Sequence, residues 1–329
     1  MEMTPQTAIG KVNFFAVGQP KTGSTSLYHY LHQHPQVFLP EQKQLYYFGG
    51  DHNAHRQRFK SRTRAYYREY YNYDYSDYIR RYDFTSEALI YGDITPDYMY
   101  SEDSAQAIYD YNPEAQILIT LREPVSFLQS FHRQLANSGN ELEEDFWKAL
   151  ELEEQRRTKP IRQNEVCPPE LLAYRRLVQY TDHVKRYHEL FGPRVKVMAY
   201  ENFKADNRAA LAVLCAWLGL DAFEPNDVYA NVTVRRSPFF LALRSLYVVR
   251  LISARVPSQW KNALRSKPKQ PPVREKKADP AQDPRYQALK QELAGEVARV
   301  SRYVQAHGLQ LDPSVPLQEL WRYPAPPTP

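Results

Sequence analysis

Lys11-Val12-Asn13-Phe14-Phe15-Ala16-Val17-Gly18-Gln19-Pro20-Lys21-Thr22-Gly23-Ser24-Thr25-Ser26-Leu27 changes character twice along its length. Lys11–Val17 is a short run rich in Val and Phe, closed by Gly18, and reads as a buried strand. Gly18 to Thr22 then mixes Gly and Pro, which is loop chemistry. Ser24-Thr25-Ser26 opens a helix, Leu27, Tyr30 and Leu31 continue it at helical spacing, and His34-Pro35 stops it. The product is strand, loop, helix. Gly23 permits close backbone approach, and the first N–H groups of the helix point at whatever anion lies there.

The alternation recurs downstream. Strand patterns fall at Gln36–Leu39, at Ala88–Tyr91 ending on Gly92-Asp93, at Gln116–Leu121, which is the clearest, and at Val195–Tyr200. Helical patterns fall at Ser101–Tyr111, Ser126–Asn137, Phe146–Arg157, Pro169–Phe191, Ala209–Leu220 and Arg285–His307. Strands alternating with helices predict an α/β fold: a P-loop-like central parallel sheet flanked by helices, with a C-terminal helical extension. Ligands of such sheets bind at the carboxyl ends of the strands. One domain is expected over residues 8–264, a Pro/Lys-rich linker or arm over 265–284, and a C-terminal helical segment over 285–323 that packs on the same domain.

Composition narrows the partners. The 329 residues carry a formal charge of +5, with 25% charged and 43% hydrophobic residues. That excess suits an anionic ligand and is too small to indicate nucleic acid. The two cysteines, Cys167 and Cys215, predict neither a disulfide framework nor a metal site, and Cys215 falls on a helical pattern as a core residue. Met1 to Gly10 lacks a basic segment followed by an apolar one, so a cytoplasmic protein is expected. Residues 239–256 are apolar but interrupted by Arg244, Arg250 and Arg255, which leaves a half-buried helix or peripheral membrane contact open.

Gly18-x-x-x-x-Gly23-Ser24-Thr25 departs from the nucleoside-triphosphate P-loop at one position. That motif places Lys directly after the second Gly, followed by a magnesium-binding Ser or Thr. Here Ser24 takes the Lys position and Lys21 lies inside the loop. A second anion motif ends the clearest strand: Ile117-Leu118-Ile119-Thr120-Leu121-Arg122-Glu123-Pro124, with Ser130 eight residues beyond Arg122. An arginine fork matches a phosphate dianion, and Pro124 suits the first turn of a following helix. Taken alone, Arg122 fits an ion pair with Glu123 equally well.

Together these strings resemble sulfotransferases that use 3′-phosphoadenosine 5′-phosphosulfate (PAPS), in particular the heparan-sulfate N- and 3-O-sulfotransferases and their bacterial relatives. The resemblance implies that Lys21, Thr22, Gly23, Ser24, Thr25 and Ser26 hold the phosphosulfate, with Lys21 also catalytic, and that Arg122 and Ser130 hold the 3′-phosphate. It implies release of adenosine 3′,5′-bisphosphate, no metal requirement, and a glycan, lipid-linked or small-molecule acceptor. Val197–Phe203 with Trp217 resembles the family's late strand and helix. Asn231–Pro238 resembles the loop after it, where Arg235 and Arg236 either close over the nucleotide or lie in solvent. The resemblance runs from about Lys11 to Pro238, with a looser likeness over Arg285–Trp321.

The catalytic base departs from this pattern. Where the family has Lys-Glu-x-x-x-Phe, this chain has Lys43-Gln44-Leu45-Tyr46-Tyr47-Phe48. An amide cannot serve as a general base. Asp93, in Tyr91-Gly92-Asp93-Ile94-Thr95-Pro96-Asp97-Tyr98, is the expected substitute as a strand-end carboxylate, with capping of the next turn as the alternative; His52 and His55 are further candidates. The tyrosines between Tyr66 and Tyr82 fit either an acceptor platform or packing. Two other functions stay open: a P-loop nucleotide kinase, opposed by the missing Lys after Gly23, and a non-catalytic sulfonucleotide-binding protein, favoured by Gln44.

Overall fold

Five strands form one sheet in the order β2-β3-β1-β4-β5, each neighbouring pair parallel. They are β1 (Phe14–Gly18), β2 (Val37–Phe38), β3 (Ile90–Ile94), β4 (Gln116–Leu121) and β5 (Val195–Ala199). The computed structural model describes residues 10–57, 74–158, 169–226 and 283–324. Cys167, Tyr66 to Tyr73, Arg235, Arg236, the stretch 239–256 and nearly all of the expected arm at 265–284 lie outside them. Among the described residues no helix is long and apolar enough to cross a membrane.

The apolar strand runs follow from burial on both faces. Phe15 and Val17 of β1 and Ile117, Ile119 and Leu121 of β4 point one way. There they meet α4 (Ser104–Tyr111), α5 (Pro124–Ser138), α9 (Tyr180–Phe191) and α12 (Pro284–Ala306). Phe14, Ala16 and Leu118 point the other way, onto α1 (Ser24–Leu31), α10 (Tyr200–Ala205) and α11 (Asn207–Trp217), where Cys215 is buried. The remaining helices are α2 (Gly50–Gln57), α3 (Tyr75–Ile79), α6 (Phe146–Glu151), α7 (Glu153–Thr158), α8 (Tyr174–Leu177) and α13 (Leu317–Leu320).

Past β5 the C-terminal chain pairs with the sheet edge. Val197 N donates to Leu309 O, and Leu311 N donates to Val197 O, each at 2.8 Å. This covers an edge that would otherwise present free backbone groups. Trp321 and Tyr323 are buried beyond it.

Two sequence expectations shift. The pattern Pro169–Phe191 is not one helix: a 3-10 turn at Pro169–Leu172, then α8, then α9 replace it. Gly92 and Asp93 do not end a strand but lie within β3. Gly92 is tightly packed there: a Cβ would come within 2.6 Å of Leu39 Cδ2 and 3.1 Å of Phe14 Cδ1. Asp93 is 1% exposed. Thr95 Oγ1 donates to its Oδ1 at 2.6 Å, and Tyr98 and Tyr78 hydroxyls donate to Oδ2 at 3.0 and 3.3 Å. Burial pushes its pKa up to about 6 against the opposing effect of these bonds. Tyr78 and Tyr82 therefore pack around a buried carboxylate, with Tyr47 stacked on Tyr78 at 4.6 Å.

Candidate functional site

β1 lies between β3 and β4, so the chain crosses away from it in both directions. That topology opens a crevice above the carboxyl ends of β1 and β4. The loops leaving those two ends are the two anion motifs.

The first loop passes from β1 into α1. Lys21 (φ 69°) and Gly23 (φ 77°) are left-handed. At Gly23 a Cβ would also come within 3.1 Å of Phe203 and 3.4 Å of Tyr200, so only glycine fits. Thr22 is 1% exposed and donates to Gln19 O at 2.5 Å, which folds the loop back on itself. The first helical bond runs from Leu27 N to Gly23 O. The N–H groups of Ser24, Thr25 and Ser26 precede it, and no side chain caps them. α5, α11 and α12 are capped by Glu123, Asp206 and Asp283, whereas α4, α9 and α10 share the uncapped start; what sets α1 apart is the left-handed Gly23 in front of it. An uncapped helix start behind a left-handed turn is arranged for an anion.

The second loop meets the first directly. Arg122 Nη1 donates to Lys21 O at 3.1 Å, and Arg122 N donates to Gln19 Oε1 at 3.1 Å. The guanidinium lies over the Tyr200 ring, 4.9 Å from its centroid. Arg122 Nε is buried without a partner among the described residues. An orphaned charged donor at this position fits a ligand acceptor. The ion pair with Glu123 does not form. Glu123 caps α5 instead and accepts from the hydroxyls of Tyr286 and Tyr323. Ser130 is half-buried on α5, the helix that Glu123 caps.

Gln19 joins the parts. It is fully buried, and its Nε2 donates to Tyr100 at 3.1 Å and to Tyr180 at 2.9 Å. Tyr180 in turn donates to Arg122 O at 2.9 Å. Every polar atom of the amide is used, so both loops are held to one another.

Lys43, in the loop after β2, is the residue that motif reading valued least. Its Nζ donates to Ser24 Oγ at 2.9 Å and to Thr25 Oγ1 at 3.3 Å. It therefore stands at the uncapped helix start. Its pKa is lowered to about 8, by burial first, with Asp97 acting in the opposite direction and Lys21 adding to the lowering. Lys21 is lowered as well, by burial first and then by the charges of Arg122 and Arg133. A crowd of cations that depress one another favours a dianion in their midst. Beside them Gln44 (φ 64°) and Asp93 border a shallow recess. His52 is buried on α2.

The sulfotransferase family's sequence profile matches residues 13–225, from the start of β1 to beyond α11. The chain belongs to the sulfotransferase family. A sulfotransferase of known structure from Alicyclobacillus acidocaldarius is similar at 28% identity and a TM-score of 0.56, over 77% of this chain and all of that one. The membrane-associated sulfotransferase kil1 of Dictyostelium discoideum is 26% identical over 121 residues, 36% of this chain. The match spans only about a fifth of that relative's length. The loops after β1 and β4, Lys43 and Tyr200 lie inside the span that the sulfotransferase profile matches.

Proposed function

We infer that this chain moves a sulfuryl group from PAPS to a hydroxyl or amine of a glycan-like, lipid-linked or small-molecule acceptor by in-line displacement. The observation that carries the reading is the joined pair of loops: Arg122 reaches across from β4 to the carbonyl of Lys21, with its Nε still free and buried. The residues present fit a doubly phosphorylated nucleotide. Arg122 and Ser130 are the holders of the 3′-phosphate, and the α1 start with Thr22, Ser24, Thr25 and Ser26 cradles the 5′ end.

The donor, when bound, supplies a sulfuryl group already activated by its phosphate leaving group. Lys21 and Lys43 then stabilise the charge that grows on that phosphate, which is where preorganised cations lower the barrier most. Gln19 keeps the two loops at a fixed separation, so this stabilisation costs no rearrangement during transfer.

Transfer of radiolabelled sulfate from PAPS to a panel of glycan and small-molecule acceptors tests the reading; nucleotide-dependent labelling of an acceptor is expected. Magnesium-dependent ATP turnover in its place would return the site to a kinase. Arg122→Ala is expected to weaken adenosine 3′,5′-bisphosphate binding about 100-fold, near 2.7 kcal/mol, measured by calorimetry. Lys43 has a separate signature. With its pKa lowered to about 8, part of it is neutral at pH 8, and a bound dianion favours the protonated form. Nucleotide binding at pH 8 is therefore expected to take up a fraction of a proton. Calorimetry in buffers of different ionisation enthalpy measures this, and Lys43→Met abolishes it.

A further inference from the structure

We propose that Asp97 is the general base of this chain, accepting the acceptor's proton in the role that Gln44 cannot fill; this rests on the sulfuryl-transfer reading above. The short 3-10 helix Pro96–Tyr100 leaves β3 at the carboxyl edge of the sheet, beside β1. Of its five residues, Asp97 alone is not buried.

The helix is pinned to both lysine-bearing loops. At its start Leu45 N, two residues past Lys43, donates to Thr95 Oγ1 at 3.0 Å. At its end Gln19 Nε2, two residues before Lys21, donates to the Tyr100 hydroxyl at 3.1 Å. Asp97 stands between these pins. Of the charged groups that act on the Lys43 ammonium, Asp97 is the strongest, ahead of Lys21, while Lys43 itself bonds Ser24 and Thr25 at the phosphate loop. The Asp97 carboxylate therefore lies within electrostatic reach of Lys43, on the helix pinned between the two lysine-bearing loops.

It is also unoccupied by protein. Among the described residues its carboxylate has no hydrogen bond and no ion pair, whereas Asp93 accepts from three hydroxyls. A base needs a free lone pair and access to solvent or substrate. Asp97 meets both conditions.

The step balances without a further reactant. The acceptor oxygen or nitrogen forms its bond to sulfur as the sulfur–oxygen bond to the 5′-phosphate breaks. That bonding pair stays on the phosphate oxygen, held by Lys21 and Lys43. The acceptor's proton passes to Asp97 and then to solvent.

Water is a usable acceptor probe, with release of adenosine 3′,5′-bisphosphate from PAPS followed chromatographically in the full chain. Asp97→Asn is expected to slow this release at least about 100-fold, within the usual range for loss of a general base. Calorimetric affinity for adenosine 3′,5′-bisphosphate should stay within about threefold of the parent, because the asparagine removes only a charge that opposes the anion. Adding Gln44→Glu to Asp97→Asn should recover at least about tenfold of the lost rate, since it restores a carboxylate where the resembling family carries its base. Turnover within about threefold of the parent in Asp97→Asn, or a double variant no faster than Asp97→Asn, overturns the assignment. So does a parent that binds nucleotide and releases nothing. A folded parent that fails to bind nucleotide overturns the donor reading instead.

Discussion

Lys21→Met is expected to lower sulfuryl transfer about a thousandfold, near 4 kcal/mol of transition-state stabilisation, while nucleotide affinity falls far less. The asymmetry follows from position. Lys21 sits inside the loop in a left-handed conformation, and its carbonyl is already committed to Arg122. Among the described residues no carboxylate holds its ammonium. Burial and the charges of Arg122 and Arg133 lower its pKa, so the free site stores repulsion that an anion relieves. The relief is greatest when a full charge has developed on the leaving phosphate. Single-turnover kinetics at saturating PAPS, set beside calorimetric nucleotide affinity, separate the two effects. A loss of affinity with the saturated rate unchanged would place Lys21 in ground-state binding alone.

Glu123→Ala is expected to destabilise the fold by about 4 kcal/mol, read by urea denaturation. Glu123 caps α5 through Val125 N at 3.2 Å and Ser126 N at 2.7 Å. It also accepts from Tyr286 at 3.1 Å and from Tyr323 at 2.7 Å, which come from the C-terminal segment. Its own N–H donates to Glu201, which in turn accepts from Trp321 Nε1 at 2.7 Å. Removing the carboxylate leaves two buried or half-buried hydroxyls and two helix-start amides without their acceptor. It also frees the residue next to Arg122, so a loss of nucleotide affinity should accompany the loss of stability. A change below about 1 kcal/mol would mean that the C-terminal segment is held by its packing and its other hydrogen bonds, without a material contribution from Glu123.

The strand–loop–helix around Gly23 and the strand ending at Arg122 were legible because each depends on local order: an apolar run, then residues that tolerate a turn or start a helix. What joins them was not legible. Gln19, Tyr100, Tyr180 and Tyr200 act across the sheet, and nothing in their neighbours' spacing marks them. The string around Lys43 leaves a solvated lysine and one near the sulfate equally open, and only the fold carries it to Ser24. Asp93 misled for a physical reason. Gly-Asp is ordinarily turn chemistry, yet here the glycine makes room for Leu39 and three hydroxyls solvate the carboxylate. The break between α8 and α9 was equally hidden, because Tyr174, Leu177, Val178 and Tyr180 stay buried across it and preserve the apolar pattern.

The site's central claim is that the loops after β1 and β4 form one nucleotide site. Titration of the folded full chain with adenosine 3′,5′-bisphosphate, followed by calorimetry, tests it most directly. One site per chain is expected, with a dissociation constant of about 1–100 µM. No binding at about 1 mM ligand, in protein shown to be folded, would contradict it.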